Sequence, residues 1–541
     1  MTRIINATIH RRMLLKGSLA AGAAATIGAS AASAAPTAQE SGGELIYAQN
    51  MPITTPDPIN PQTYPAAYEA NYTIYRNLVT FDRDLAIMPD LAESWERAED
   101  GLTWTFTLRQ GVTFHDGTPF NAQAVAAHIA RIQDPATASP NANLWAHITG
   151  VEVVDDATIQ LITAQPFGAM LTYLAHGSGG IESPTAVQEY GAEYAQHPTG
   201  AGPYKLESFS PGTELVLTRF DDFYGGPPSL DKITMRAVPE VGSRVLLLDA
   251  GEAHVANDVP PEEADRLANG DTTQLLRQAG LRTFWMEFNL NREIFQDVNV
   301  RRALNHAVNT QSIVDNLFLG YATALDSPAA PSIQGHVTAG AYAYDPDLAK
   351  QMLTEAGWTA GDDGILEKDG VPLTFTINTA EGEYPKDIQV VEAVQADLKA
   401  VGCDVEIWKV EAAARWDYLR LPIAEAEYDM VLFGFNPSNG DIGYHLNSLF
   451  RSNSDQSAAP NVWNLMWYSN PQVDELLNEA DRTVDEAARF DLLGQAQQLI
   501  WDDAPMIWLY APEMLGATTK DVTDVYIWPT IFTVVRDASA V

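Results

Sequence analysis

The sequence contains little cysteine and little positive charge, and both shortages exclude classes of protein. Among the 541 residues, Cys403 is the single cysteine, so the chain cannot form an intramolecular disulfide. Lysine and arginine total 32 against 71 aspartates and glutamates, which gives a formal net charge of -39. Nucleic acids and anionic membrane surfaces attract basic patches, so this balance argues against both as partners. The acidity is typical of a solvated surface, and a pocket that attracts cations is the alternative.

Several motifs of enzymes and metal sites are also absent. The sequence has no H-E-x-x-H, G-x-S-x-G or C-x-x-C motif, and Ser178 in HGSGG lacks the spacing of a nucleophile elbow. The ten histidines show no pair at ligand spacing. Beyond the N-terminal region no stretch reaches the roughly 20 apolar residues of a transmembrane helix. The sequence therefore predicts a soluble mature protein that is not an enzyme and has no metal or other cofactor.

The N-terminus is typical of an export signal. Arg11 and Arg12 precede a mildly apolar run rich in alanine and glycine, and Ala32-Ser33-Ala34 has the small-residue pattern of a cleavage site. We predict a twin-arginine signal peptide over residues 1–34. Because no cysteine lies near the cleavage site, we expect no lipid anchor. The expected location is the periplasm, with full secretion as the alternative.

A glycine-rich stretch, HPTGAGPYKLESFSPGTELVLTRFDDFYGG (197–226), raises the question of a phosphate-binding loop. Such a loop requires a helix directly behind its glycines. Here Gly200 and Gly202 are followed by Pro203 and by two alternating segments around the turn Ser210-Pro211-Gly212. The pattern predicts a β-hairpin, with the two glycines allowing a close approach of the backbone.

Strands alternate with helices from about residue 285 to 505, which predicts an α/β lobe. Within it we predict one helix over residues 297–320, ended by Gly320, and a buried strand YDMVLFGF (428–435) followed by a loop over 434–450. Earlier in the chain, the proline-rich segment with Tyr64, Tyr68 and Tyr72 is expected to be irregular.

The chain resembles family 5 of the bacterial extracellular solute-binding proteins, the peptide-, glutathione- and nickel-binding components of ABC importers. The resemblance covers nearly the whole mature chain, with its motifs in the family's order. The matching stretches are GAGPYKLESF (200–209) with FDDFYGGPP (220–228), LRQGVTFHDGTPFNAQAV (108–125), FNLNREIFQDVNVRRALNHAVN (288–309), YDPDLAKQMLTEAGW (344–358) and WYSNPQVDELLNEA (467–480).

This resemblance implies a two-lobed α/β periplasmic-binding-protein fold with an extra inserted domain and a ligand cleft between the lobes. The segments expected to cross between the lobes are RTFWMEFNLN and PMIWLYAPE. The implied division is domain I at 42–76, 198–283 and 507–541, inserted domain II at 77–197, and domain III at 284–506 as the second lobe.

The resemblance also implies a function. We expect a monomeric periplasmic receptor that captures a small amine-bearing solute, a short peptide or a glutathione-like molecule, and delivers it to ABC permease subunits at the inner membrane. A nickel, metal-chelate or haem carrier of the same fold is one alternative. A secreted hydrolase is another, although no converging nucleophile and base are visible in the sequence.

Asp441 is the principal predicted ligand-binding residue. In peptide-binding relatives an acidic residue after this strand meets the ligand's ammonium group, and a charge-assisted hydrogen bond in a dry cleft is the physical reason. The alternative is that Asn439-Gly440-Asp441 is a turn in which Asp441 binds its own backbone. Tyr444 follows in the glutathione-type pattern, and His445 is a candidate ligand of a metal chelate or a surface histidine.

Aromatic and basic residues complete the predicted site. Tyr64, Tyr68, Trp285, Trp416 and Phe435 are candidates for the pocket wall, and so are Trp463 and Trp467, although some of these must be core residues. Relatives often carry a basic residue in G-x-Y-P where this chain has Glu383, so a ligand carboxylate is in doubt there. Arg415 and Arg451 are the alternatives for binding one.

Overall fold

The computed structural model describes residues 42–61, 63–453 and 463–540. The predicted signal peptide and its cleavage site lie outside this part of the chain. The strands of the described residues are β1 (Glu44–Gln49), β2 (Val79–Phe81), β3 (Ile87–Pro89), β4 (Ala92–Arg97), β5 (Thr103–Leu108), β6 (Ile148–Asp155), β7 (Thr158–Thr163), β8 (Tyr204–Ser210), β9 (Glu214–Arg219), β10 (Lys232–Ala237), β11 (Val255–Asn257), β12 (Thr273–Ala279), β13 (Thr283–Phe288), β14 (Ala322–Ala324), β15 (Thr359–Ala360), β16 (Leu366–Lys368), β17 (Val371–Pro372), β18 (Thr374–Ala380), β19 (Asp404–Val410), β20 (Met430–Phe435), β21 (Met506–Thr519), β22 (Val522–Thr523), β23 (Tyr526–Ile527), β24 (Thr533–Val534) and β25 (Ser539–Ala540).

The α-helices of the same residues are α1 (Ala66–Ile74), α2 (Ala122–Gln133), α3 (Ala142–Trp145), α4 (Met170–Ala175), α5 (Pro184–Tyr190), α6 (Val241–Asp249), α7 (Pro261–Ala268), α8 (Val298–Ala307), α9 (Thr310–Asn316), α10 (Pro346–Glu355), α11 (Asp387–Ala400), α12 (Ala412–Leu419), α13 (Ile442–Phe450), α14 (Pro471–Arg482) and α15 (Glu486–Asp503). None of them is both long enough and apolar enough to cross a bilayer, as far as the described residues go.

One mixed sheet forms the frame of the molecule, with the strand order β19-β18-β20-β13-β21-β11-β1-β10-β9-β8; β12 and β14 also pair with β21. We call lobe one the neighbouring strands β11, β1, β10, β9 and β8 of this sheet, together with α1, the C-terminal strands β22–β25 and the loops next to them. Lobe two comprises the neighbouring strands β19, β18, β20 and β13 of the same sheet, together with the helices α8–α15. The antiparallel pair β13 and β21 joins the two parts, and these strands overlap with the two segments predicted to cross between the lobes.

A second sheet lies between α1 and β8 in the chain. Its four strands have the order β4-β5-β7-β6, all antiparallel. We call this sheet with α2–α5 the inserted region. The β6–β7 hairpin turns at Asp156 and Ala157, between the paired residues Asp155 and Thr158.

The central strands of lobe two are apolar because both of their faces are covered. Every residue of β13 (TFWMEF) is buried, and β20 (MVLFGF) is buried at five of its six positions. Sheets with helices on both faces require such continuous apolar runs. Separate apolar cores consequently lie on the two faces of this sheet.

The glycine-rich stretch forms the predicted hairpin, with β8 antiparallel to β9. Gly200 and Gly202 pass directly against α1. A Cβ atom would lie 2.2 Å from the Ile74 carbonyl oxygen at Gly200 and 2.5 Å from it at Gly202. The close approach of the backbone therefore explains both glycines, and a phosphate-binding loop is excluded here because no helix follows them.

Three local predictions are wrong. The single helix expected over 297–320 is two helices, α8 and α9, because Asn309 interrupts the first and caps the second by accepting a hydrogen bond from Ser312 N. The segment with Tyr68 and Tyr72 is helical, in α1, although the prolines before it are not. The loop expected over 434–450 ends at Asp441, where α13 begins.

Candidate ligand-binding site

Three strand ends of lobe two meet at one edge of the sheet. β18 and β20 are parallel, so their carboxyl ends lie together, and β13 begins beside them because it is antiparallel to β20. The loops 381–386 and 436–441 leave this edge. Ligands of open α/β sheets bind outside the carboxyl ends of strands. This edge is therefore the place to look for a site, and lobe one and the inserted region both reach it.

His176 of the inserted region forms a hydrogen bond with lobe two across this edge. Its Nδ1 accepts a hydrogen bond from Ser178 N, so the proton resides on Nε2, which donates to Ser438 Oγ at 3.0 Å. Burial lowers the pKa of His176 to about 3. The imidazole is therefore neutral at neutral pH, which leaves Nδ1 without a proton to accept the hydrogen bond from Ser178 N.

A second polar contact joins lobe one to the same loop. Asn436 Nδ2 donates to the Tyr64 hydroxyl and, at 3.2 Å, to the Thr530 carbonyl oxygen. Tyr64 and Thr530 both belong to lobe one, whereas Asn436 directly follows β20. The hydrogen bond thus connects the end of a lobe-two strand to the opposite lobe.

The inserted region contacts lobe two at further points. Gly168 N donates to the Asp481 carbonyl oxygen at 3.0 Å, and Arg97 Nη1 donates to the Val484 carbonyl oxygen at 3.0 Å. The rings of Tyr173 and Tyr444 meet edge to face with centroids 6.0 Å apart. These contacts show that the parts facing the cleft are in direct contact, which is a closed arrangement.

Asp441 has three partners within the protein, and two of them bind its carboxylate. Its Oδ1 accepts a hydrogen bond from Tyr444 N at 2.7 Å and so caps α13, and its backbone N donates to Asn439 Oδ1 at 3.1 Å. Both carboxylate oxygens also accept hydrogen bonds from Arg489 at 2.8 Å. The turn-and-cap geometry of the alternative interpretation is thus present. An ammonium group at Asp441 would share a carboxylate that Arg489 already binds, and the predicted ligand role stays a prediction.

The aromatic candidates of lobe two form one cluster. The ring centroid of Phe435 lies 5.9 Å from that of Tyr444, 5.5 Å from that of His445 and 5.7 Å from that of Trp463. Trp416 packs edge to face on Trp463 at 5.6 Å. The structure therefore brings these predicted residues together beside the loop that follows β20.

Other predicted residues lie deeper. His445 Nε2 is 2.9 Å from the Pro328 carbonyl oxygen, and burial lowers the pKa of this imidazole to about 4. Trp285 is fully buried, and its indole N–H donates to Glu287 Oε1 at 2.9 Å. Trp467 stacks on Tyr428. These side chains contribute to the core of lobe two, so a direct role in ligand binding remains a prediction.

The predicted residues of lobe one form a smaller group. The rings of Tyr64 and Tyr68 meet edge to face at 5.6 Å, and Tyr68 also contacts the ring of His176 at 5.1 Å. The Tyr68 hydroxyl donates to Asn141 Oδ1 at 3.1 Å. Tyr64 and Tyr68 therefore lie on the side of the cleft opposite the Phe435 cluster.

The arginines proposed for a ligand carboxylate are already paired. Arg415 is fully buried; it forms an ion pair with Glu383 and donates to the Leu432 carbonyl oxygen. Arg451 pairs with Asp481 at 2.9 Å. The position that is basic in many relatives is thus acidic here because Glu383 neutralises a buried arginine.

Sequence reasoning missed Arg282, which lies directly before β13 in the crossing segment. The side chain is half-buried, and its Nε is buried without a hydrogen-bond partner. The visible signal was an arginine within an otherwise apolar and aromatic crossing segment. The described residues contain no group of three histidine, cysteine, aspartate or glutamate side chains that could hold a metal ion.

The fold and the position of the cleft define a two-lobed ligand-binding protein, and comparison with known proteins places the chain in a family. The model of the bacterial extracellular solute-binding proteins, family 5, matches residues 86–457. The chain belongs to this family. The glutathione-binding protein GsiB of Escherichia coli O1:K1 is 32% identical over 531 residues, covering 96% of this chain and 97% of the relative. GsiB of Salmonella typhi is 32% identical over 496 residues, covering 90% and 92%.

Solved structures agree on the fold. The periplasmic binding protein DppA of Helicobacter pylori, in complex with the peptide STSA, superposes with a TM-score of 0.77 at 28% identity, covering 93% of this chain and 98% of that one. NikA of Brucella suis, in complex with Fe(III)-EDTA, gives a TM-score of 0.80 at 24% identity, covering 92% and 100%. The second likeness concerns the fold alone.

Proposed function

We propose that this protein is the periplasmic substrate-binding component of an ABC importer and that it captures a short peptide or a glutathione-like solute bearing an amine. The observation that carries the proposal is the match to glutathione-binding relatives along nearly their full length. The complex of the Helicobacter pylori relative with a peptide supports the same class of ligand.

Capture works through closure of the two lobes. A ligand closes the cleft only if it binds the closed arrangement better than the open one. The hydrogen bonds of His176 with Ser438 and of Asn436 with Tyr64 join parts on opposite sides of the cleft, so they add to the stability of the closed state. The closed form would then dock on the permease and release the solute chemically unaltered.

Native mass spectrometry of protein purified without denaturation tests the ligand class. We expect a bound small molecule with the mass of a short peptide or of glutathione. Calorimetry with glutathione and with dipeptides should then give a dissociation constant between roughly micromolar and nanomolar, which corresponds to about -8 to -12 kcal/mol. Absence of binding to every member of this panel would contradict the proposal.

Turnover separates a receptor from a hydrolase. We expect the purified protein to leave a peptide library intact over the time in which it binds members of that library. Appearance of cleavage products would overturn the assignment as a binding protein.

The remaining features of the proposal concern location and organisation. The proposal also includes a twin-arginine signal over residues 1–34, a periplasmic location, a monomeric state and the domain division given above. N-terminal sequencing of the exported protein tests the cleavage after Ala34, and light scattering tests the monomer.

A further inference from the structure

Arg282 is a positive charge without a partner in the described residues. It takes part in no ion pair there, its Nε is buried with no hydrogen-bond acceptor, and the residue as a whole is half-buried. An arginine cannot lose its charge in a protein. Keeping the Nε of an unpaired guanidinium out of water without an acceptor costs free energy, and an anion at this position would remove that cost.

Arg282 lies at the edge where the lobes meet. The neighbouring Thr283 pairs with Phe435, so Arg282 is adjacent to the start of the 436–441 loop, and Leu281 N donates to the Pro529 carbonyl oxygen of lobe one at 2.9 Å. This position is beside the hydrogen bond between Asn436 and Tyr64. Arg282 therefore faces the closed cleft at the point where the chain crosses between lobes.

The positive charge of Arg282 acts on the pKa values of two tyrosines, which indicates where the guanidinium lies. Burial raises the pKa of Tyr64 and of Tyr384, and in both cases the positive charge of Arg282 opposes the rise. Tyr64 belongs to lobe one, whereas Tyr384 lies in the 381–386 loop of lobe two. The guanidinium is therefore close to groups from both sides of the cleft.

Two other arginines near this edge are already paired with acids. Arg415 is neutralised by Glu383, and Arg489 is bound by both oxygens of Asp441. Glu383, an acid of the 381–386 loop, is occupied by Arg415. The Thr530 hydroxyl, on the lobe-one side, is a further buried group without a partner in the described residues.

We propose that Arg282 binds a carboxylate of the captured solute, so that the ligand is a carboxylate-bearing molecule and not a neutral or purely cationic amine. This inference rests on the proposed function, which it makes more specific. Glu383 makes the 381–386 loop unsuitable for a ligand carboxylate. In this proposal the carboxylate binds instead beside the start of β13, at Arg282. Charge-assisted pairing with arginine is among the strongest hydrogen bonds in a dry site.

Calorimetry on the full exported chain tests this assignment with glutathione as the probe. The variant is Arg282→Gln, and the matched control is Arg266→Gln, which removes an exposed arginine paired with Asp249 and Glu263 outside the cleft. We expect Arg282→Gln to weaken glutathione binding by at least about tenfold, with no change in the control. Glutathione diethyl ester, which lacks both carboxylates, should bind the wild type weakly and be insensitive to Arg282→Gln.

The outcomes separate this inference from the proposed function. If the wild type binds glutathione and Arg282→Gln binds it equally well, the carboxylate assignment is wrong and the proposed function stands. If the wild type binds no peptide-like probe, the proposed function fails. The anion site at Arg282 is then tested by comparing the melting temperature of the protein in glutarate, a dicarboxylate, with that in glutaramide, its uncharged amide. A rise with glutarate alone that disappears in Arg282→Gln supports the anion site; the lack of any such rise overturns it.

Discussion

Arg489 and Arg282 are both located near the cleft, but their surroundings differ. Arg489 binds both oxygens of the Asp441 carboxylate at 2.8 Å, and Asp441 in turn caps α13. Arg282 directly precedes β13 and forms no ion pair within the described residues. The first arginine is part of the framework of lobe two, whereas the second is left for something that the chain itself does not supply.

Glu287 provides a third case. It is fully buried, its Oε1 accepts a hydrogen bond from Trp285, and its Oε2 has no partner in the described residues. Burial raises the pKa of this carboxyl to about 8. An acid without a partner can thus remain uncharged by keeping its proton. An arginine has no such option, which is why the unpaired Arg282 indicates a ligand and the unpaired Glu287 oxygen does not.

The largest expected effect tests the framework role of Arg489. Arg489→Met leaves the Asp441 carboxylate buried without its cation, and we expect a loss of about 3–5 kcal/mol in the free energy of unfolding. Arg282→Gln removes a charge that has no partner, so it should not lower this free energy by more than about 0.5 kcal/mol. Denaturant titration measures both. Equal losses in the two variants would remove the distinction between the two arginines.

The next effect concerns Glu287 and pH. The folded-state pKa of about 8 lies above the ordinary value of 4.5, so the folded protein holds a proton that the unfolded chain releases. The contribution of Glu287 to the free energy of unfolding is fully present below pH 4.5 and is lost as the pH rises from there through 8. Glu287→Gln mimics the neutral acid, so between pH 5 and 9 the wild type should lose about 2–4 kcal/mol more than the variant. Parallel stability profiles would show that Glu287 is ionised in the fold.

Asp441 tests whether a paired carboxylate also serves the ligand. Asp441→Ala should weaken the binding of an amine-bearing ligand such as glutathione by at least about tenfold in calorimetry. Asp441→Asn is the matched variant, since its side-chain oxygen keeps the cap on Tyr444 N while the charge is lost. Unaltered affinity in both variants would restrict Asp441 to its cap and its ion pair with Arg489.

The smallest effect concerns the contact across the cleft. Ser438→Ala removes the acceptor of the His176 Nε2–H, and we expect a cost of about 1 kcal/mol to the closed state, or about fivefold in ligand affinity. Ser452→Ala is the control, because its hydroxyl pairs with Ser469 within lobe two. If both variants bind ligand equally well, the His176 contact does not contribute to closure.

Regular elements of lobe two could be predicted because their patterns are strong. The apolar run of β20 and the caps of α10 and α14 appear directly in the residues, at Asp345 and Asn470 for the two caps. The start of α13 was missed because glycines at 440 and 443 flank Asp441 and favour a loop. The available signal was Asp441 itself, because aspartate is a favoured N-cap residue, and in the structure it accepts a hydrogen bond from Tyr444 N.

The candidate site was only partly predictable, for a different reason. Residue type indicated Asp441, Phe435 and Tyr444, and the structure places all three beside the loop that follows β20. Whether a charge has a partner, however, depends on side chains far away in the chain: Arg489 for Asp441 and Arg415 for Glu383. Sequence patterns do not reveal such pairings, so the lack of a partner for Arg282 became visible only in the structure.

The strand β21 has a consequence for how the protein is made. It pairs with β13 and β14 at one end and with β12 and β11 at the other, so it lies in the middle of the sheet although it is close to the end of the chain. Pairings between residues so distant in sequence form late. Neither half of the sheet can be completed until translation has passed residue 519, and a nascent chain that stops short of β21 exposes the edges of β11 and β13 to aggregation.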